Sequence, residues 1–193
     1  MTTADSGGEP VPDHAPWRAC RADGWCTRGP VDVTGPDIVR IARTLAVEPW
    51  QFTTTAPAAV GDPAGIRLSA GRRRVTLTLA NTTAGCVFLL RAAGGTGVCG
   101  LGEVAPAACT VYPADPAAGV PAVVREPGGC DDAAGHLDGR ELDEAVLGWT
   151  EDRARWHEIV ARWNAIPVAE AGAATIDDFQ RYLLEVVPVE VPA

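Results

Sequence analysis

Cysteine and proline are gathered in one stretch of this chain: Cys86-Val-Phe-Leu, then Cys99, then Ala-Pro-Ala-Ala-Cys109-Thr-Val-Tyr-Pro. With Cys20, Cys26 and Cys130 the stretch makes six cysteines, most of them beside Gly, Pro or short apolar runs. Such surroundings build loops and turns rather than long regular elements. A thiolate is a soft ligand that favours zinc or iron, and cysteines brought from separate loops can close one tetrahedral site. The pattern points to a bound metal or cluster. It leaves open which reaction, if any, the metal serves.

Six cysteines in 193 residues lie far below the density of small disulfide scaffolds. The first ten residues are polar, with neither the basic nor the apolar region of a secretory signal, and no apolar run approaches the roughly 18 residues of a membrane span. These features predict a soluble, cytoplasmic protein with reduced thiols and no membrane partner. The net charge is −9 and every basic side chain except histidine is Arg. Absence of Lys excludes Schiff-base and lysine-nucleophile chemistry, and the acidic balance argues against nucleic acid as a partner. The basic knot Arg72-Arg73-Arg74 reads as a solvated turn. No P-loop, H-E-x-x-H or G-x-S-x-G motif is present, and the glycine-rich run Gly94 to Gly100 lacks the strand-to-helix setting of a phosphate loop.

Residues 1–16 are rich in Gly, Pro and acids without periodicity, which predicts a disordered tail. Thr34-Gly35-Pro36-Asp37 reads as a helix start, with a Thr cap, Pro in the first turn and an acid three residues on. Ile38, Ile41, Ala42 and Leu45 then repeat at helical spacing and predict one apolar face; Pro49 to Phe52 adds a short turn. Ile66-Arg67-Leu68 and Val75 to Leu79 alternate as two strands of a hairpin turning near Gly71. Cys86 to Leu90 is too apolar for an exposed edge strand. Residues 92–130, mostly Gly, Ala and Pro, read as a long loop, which is uncommon unless something ties it down. Glu141 to Ala165 carries an apolar stripe at helical spacing, with a break expected near Gly148-Trp149-Thr150 and a stop at Pro167. Thr175 caps a last helix whose face is Phe179, Tyr182, Leu183 and Val186. The fold class is therefore α+β: a small β-hairpin region and cysteine-rich loops packed against one N-terminal and two C-terminal helices.

Several of these segments together carry a resemblance. The chain is similar to the cysteine-cluster family of zinc- or iron-chelating domain proteins of the YkgJ type, which includes flagellin N-methylase-like members. That family begins with C-x2-C-x2-C-C, followed by a "v-x-x-D-I-x-R-i-A" helix, a "C-v-F-L" strand and "C-x-I-Y-x-x-R-P-x-x-C-R-x-Y-P". Asp37-Ile38-Val39-Arg40-Ile41-Ala42 matches the helix and Cys86-Val87-Phe88-Leu89 the strand. Cys99 and Cys109 hold the offset of the last motif, with Pro106 in place and Tyr112-Pro113 behind. Trp163-Asn164 and the helix from Phe179 to Leu184 look like the family's tail. The resemblance covers roughly residues 17–187, leaving 188–193 as a tail. The first motif departs from the pattern, with Asp23 for its second cysteine and Thr27 for its fourth. The last motif has Gly102 for its tyrosine, and Ala105 and Thr110 for its arginines.

The resemblance implies that Cys20, Cys26, Cys86, Cys99 and Cys109 are metal ligands; Cys130, outside its motifs, is either a sixth donor or no ligand. The competing reading for each is a buried core cysteine, strongest for Cys86 at the head of an apolar run. Cys20 and Cys26 are spaced more widely than zinc-finger pairs. Asp23 is either an oxygen ligand or a turn cap, and His136 and His157 read as surface or helix-face residues with ligation the lesser alternative. Trp149, Trp156 and Trp163 read as packing. Three functions follow. The first is a non-enzymatic metal protein, holding an iron–sulfur cluster or zinc in a redox or sensing role. The second is a metal-dependent oxidoreductase or protein-modifying methyltransferase relative, on the resemblance alone. The third is a metal-free relative that kept its cysteines for packing.

Overall fold

Thr34 opens the first helix by capping chemistry: its hydroxyl accepts from the Asp37 N–H while the Asp37 carboxylate takes the Thr34 N–H. The computed structural model describes residues 30–68, 74–91, 97–112, 114–115, 123–124, 139–167 and 174–188. Helix α1 (Gly35–Leu45) buries Ile38, Val39, Ile41 and Ala42, and ends at Ala46 in the left-handed region (φ 52°). Leu45, expected on the apolar face, is exposed instead because it lies in the last turn, past the core. Pro49 to Phe52 forms the helical turn α2 (Pro49–Phe52), which sets the buried Phe52 ring against the core.

The expected hairpin is present as β2 (Ile66–Arg67) and β3 (Arg74–Leu79), with Ile66 opposite Val75. A strand not foreseen, β1 (Thr53–Pro57), runs antiparallel along the other side of β3, so β3 is central in a three-stranded sheet ordered β1-β3-β2. The exposed edge of β2 is covered by side chains instead of a strand. Asn164 accepts from the Arg67 N–H (2.7 Å) and donates to the Gly65 carbonyl (2.8 Å), while the Trp163 indole donates to the Arg67 carbonyl (2.9 Å). Pairing edge groups in this way removes a template for association.

Beyond β3 the chain departs from expectation. Cys86 to Leu90 is two short strands and not one buried strand: β5 (Gly85–Cys86) folds back on β4 (Asn81–Thr82), and β6 (Leu89–Arg91) pairs with β7 (Gly97–Cys99). The cause is local. Gly85, at φ 113°, turns the first hairpin, and the Val87 N–H bonds back to the Ala80 carbonyl before the chain can extend. Val87 and Leu90 consequently stand exposed. The stretch 92–130, read as a structureless loop, carries β7, a 3-10 turn (Gly102–Val104), helix α3 (Ala107–Val111) and a pairing of β8 (Ala114–Asp115) with β9 (Val123–Val124).

Helix α4 (Gly139–Ala165) runs 27 residues without the break expected at Gly148, and α5 (Ile176–Val186) follows the Thr175 cap. One core cluster joins α1, α2, the three-stranded sheet, α4 and α5 through residues such as Ile38, Phe52, Leu77, Trp156 and Phe179. Phe179 takes Trp156 and Trp163 edge-on at 5.6 and 5.2 Å, so these tryptophans are packing residues as read. Burial of each such side chain stabilises the fold by about 1.5–3 kcal/mol. A second, smaller cluster of Val111, Leu142 and Val146, with Ala145 and Trp149, joins α3 to the first half of α4. The architecture is α+β. Among the described residues no helix is long and apolar enough to cross a membrane.

Candidate metal centre

Three of the six cysteines fall within the described residues, each on a different element. Cys86 ends β5 opposite Asn81, Cys99 ends β7 opposite Leu89, and Cys109 sits in α3. All three thiols pack on the same core cluster, Cys86 buried and the other two half-buried, and none is in a disulfide. The Arg91 guanidinium ties the two hairpins together by donating to the Ala84 carbonyl (2.9 Å), and the Gly100 N–H, donating to the Phe88 carbonyl (2.8 Å), extends the β6–β7 ladder by one rung. Burial pushes the Cys86 thiol above its ordinary value, the Phe88 N–H bonded to it pulls the other way, and the neighbouring Cys99 raises it further.

The donor set is chemically right for a soft metal but is not complete in itself. Among the described residues no three His, Cys, Asp or Glu side chains gather as a metal-holding group. Cys20, Cys26 and Cys130, and with them Asp23 and His136, lie outside the described residues. His157 is described: it lies on α4 with Arg153 and Asp62 as its charged neighbours, and burial and Arg153 lower its pKa.

Sequence reasoning read Asp37 as a helix cap and missed its larger role. The carboxylate is 1 % exposed and uses both oxygens. Oδ2 accepts from the Thr34 N–H (3.0 Å) and the Thr34 hydroxyl (2.8 Å); Oδ1 accepts from the Arg40 guanidinium (2.6 Å) and from the Ala107 N–H (3.0 Å), the first residue of α3. Arg40 also donates to the Ala105 carbonyl (3.2 Å). The signal available was the company of Asp37: Gly, Pro, Ile and Val around a charged residue mark a cap that will be buried. A groove of about 350 Å³ opens beside this contact, between α3 and α4, with Arg40, Thr110, Gly148, Trp149 and Arg155 among its walls. Comparison of the chain with family models, curated proteins and solved structures finds no match.

Proposed function

We propose that the chain is a cysteine-ligated metal protein of the cytoplasm that holds an iron–sulfur cluster or zinc. Cys86, Cys99 and Cys109 supply sulfur, and the remainder comes from Cys20, Cys26 and Cys130. The observation that carries this reading is that three thiols, from two hairpins and a helix, pack against one core cluster with no disulfide between them. A site closed by four sulfurs makes the metal structural or an electron carrier. The thiols of this chain would bind it as thiolates, so uptake weakens as pH falls and protons compete.

Anaerobic purification followed by metal analysis and a visible spectrum tests the reading, with the Cys99→Ala/Cys109→Ala double variant as control. A brown protein with about two or four irons per chain, bleached in the variant, identifies a cluster. About one zinc and no colour identifies a closed zinc site. Protein without metal, or with the same metal in the double variant, overturns the reading. It would favour a metal-free domain whose cysteines serve packing, as Cys86, Cys99 and Cys109 do against the core.

A further inference from the structure

We propose that Asp37 and Arg40 are positioning residues for Cys109: one buried carboxylate caps two helices, and the second of them carries the thiol. The inference rests on the thiolate site proposed above and concerns how that site is held in shape.

The chain contains its own control. Thr34-x-x-Asp37-x-x-Arg40 at the start of α1 is repeated as Thr175-x-x-Asp178-x-x-Arg181 at the start of α5. Each Asp takes its Thr N–H and hydroxyl on Oδ2, and each offers Oδ1 to the Arg three residues on. The α5 copy is exposed, and this local set of bonds is all it needs to start its helix. The α1 copy adds two contacts that capping α1 does not require. Asp37 Oδ1 accepts the Ala107 N–H across 70 residues of sequence, and Arg40 reaches the Ala105 carbonyl.

Helix α3 needs such help. It has five residues, starts at Pro106 with no side-chain cap of its own, and is far too short to be stable alone. Its first N–H groups have no partner within the helix. Asp37 provides one from outside, and in doing so fixes the peptide units from which the Cys109 turn begins; the Cys109 N–H itself bonds to the Pro106 carbonyl at 2.8 Å. Cys86 and Cys99 are located by hairpin pairing. Cys109 rides on a helix packed on α4 through Val111 and held at its start by Asp37 and Arg40.

Two variants break the link from α1 to α3 at different points while keeping the Thr34 and Asp37 side chains of the cap. Ala107→Pro abolishes the contact by putting a ring carbon where the N–H reached Asp37, so the carboxylate must give way; proline is otherwise tolerated at the first helical position, and the extended Pro106 (ψ 144°) suits a residue before proline. Arg40→Gln removes the hold on the Ala105 carbonyl and covers the case in which the first variant does not fold. Asp178→Asn serves as control. Full-length chain is titrated anaerobically with Co²⁺, read by its thiolate charge-transfer absorption, and metal-free chain is alkylated to compare the rates at Cys109 and Cys99. Ala107→Pro and Arg40→Gln should weaken Co²⁺ binding by about 10- to 100-fold, the usual cost of losing a residue that orients a ligand, and shift the absorption. They should also change the Cys109:Cys99 alkylation ratio. Asp178→Asn should change none of these. Wild-type affinity, spectrum and alkylation ratio in both variants would overturn the inference. If the wild type takes up no Co²⁺, the proposed thiolate site fails, and the alkylation ratio alone decides: altered in both variants but not in the control, the positioning role stands; unaltered, it falls.

Discussion

His157 has a buried Nε2 with no hydrogen-bond partner among the described residues. Burial and the Arg153 charge hold its pKa below the ordinary value of 6.5, and Asp62 offsets them in part. The folded state therefore binds a proton less readily than the unfolded chain. Its contribution to stability is complete above 6.5 and is lost as pH falls through the folded-state pKa. Thermal melts of the wild type between pH 7.5 and 5.5 should show a steeper fall than those of His157→Gln. Equal slopes would mean that His157 is as easily charged in the fold as in water. Asp32 shows the opposite displacement: burial raises its carboxyl pKa, Arg153 lowers it and Asp62 raises it. Burial is the larger cause for both groups, and Arg153 reinforces it at His157 and opposes it at Asp32.

Glycines in two helices make the packing of elements testable. A Cβ at Gly35 would come within 2.9 Å of the Trp156 ring, which is 3 % exposed and pinned edge-on by Phe179, and within 3.3 Å of Leu183. Gly35→Ala should cost about 1–3 kcal/mol through overpacking, more than the gain of up to about 1 kcal/mol from helix propensity. A Cβ at Gly148 would meet nothing within 4 Å, so Gly148→Ala should stabilise α4 by about 1 kcal/mol. Urea denaturation of the two variants would read opposite signs; a neutral Gly35→Ala would show that α1 and α4 are not in firm contact. The starts of α1 and α5 were legible in the sequence because Thr and Asp three residues apart act on their own backbone. The contacts that decide the site were not. Asn164 on Arg67 spans 97 residues and Asp37 on Ala107 spans 70, and no local pattern announces such a pairing. The run from Cys86 to Leu90 misled because apolar composition predicts burial, whereas the fold back at Gly85 leaves Val87 and Leu90 facing outward. Cys86, Cys99 and Cys109 were grouped by spacing and by resemblance; all three pack against the main core, yet no three donors gather among the described residues.

At the scale of the whole molecule, α4 is the longest element, about 40 Å from end to end. Its second half lies in the main core through Trp156, Ile159 and Val160, with Trp163 and Asn164 bonded to β2. Its first half rests on Leu142, Val146 and the single buried Val111 of α3. Hydrogen exchange should therefore be graded along one continuous helix, with amides 142–148 losing protection well before amides 157–164. Uniform protection would show that the small cluster holds as firmly as the large one. A rod set fast at one end and lightly propped at the other behaves as a cantilever: small deflections at the fixed end grow toward the tip. The prop here is the helix that carries Cys109, so bending of α4 is passed through Val111 to that helix, and whatever stiffens α3 steadies the far end of α4 in return.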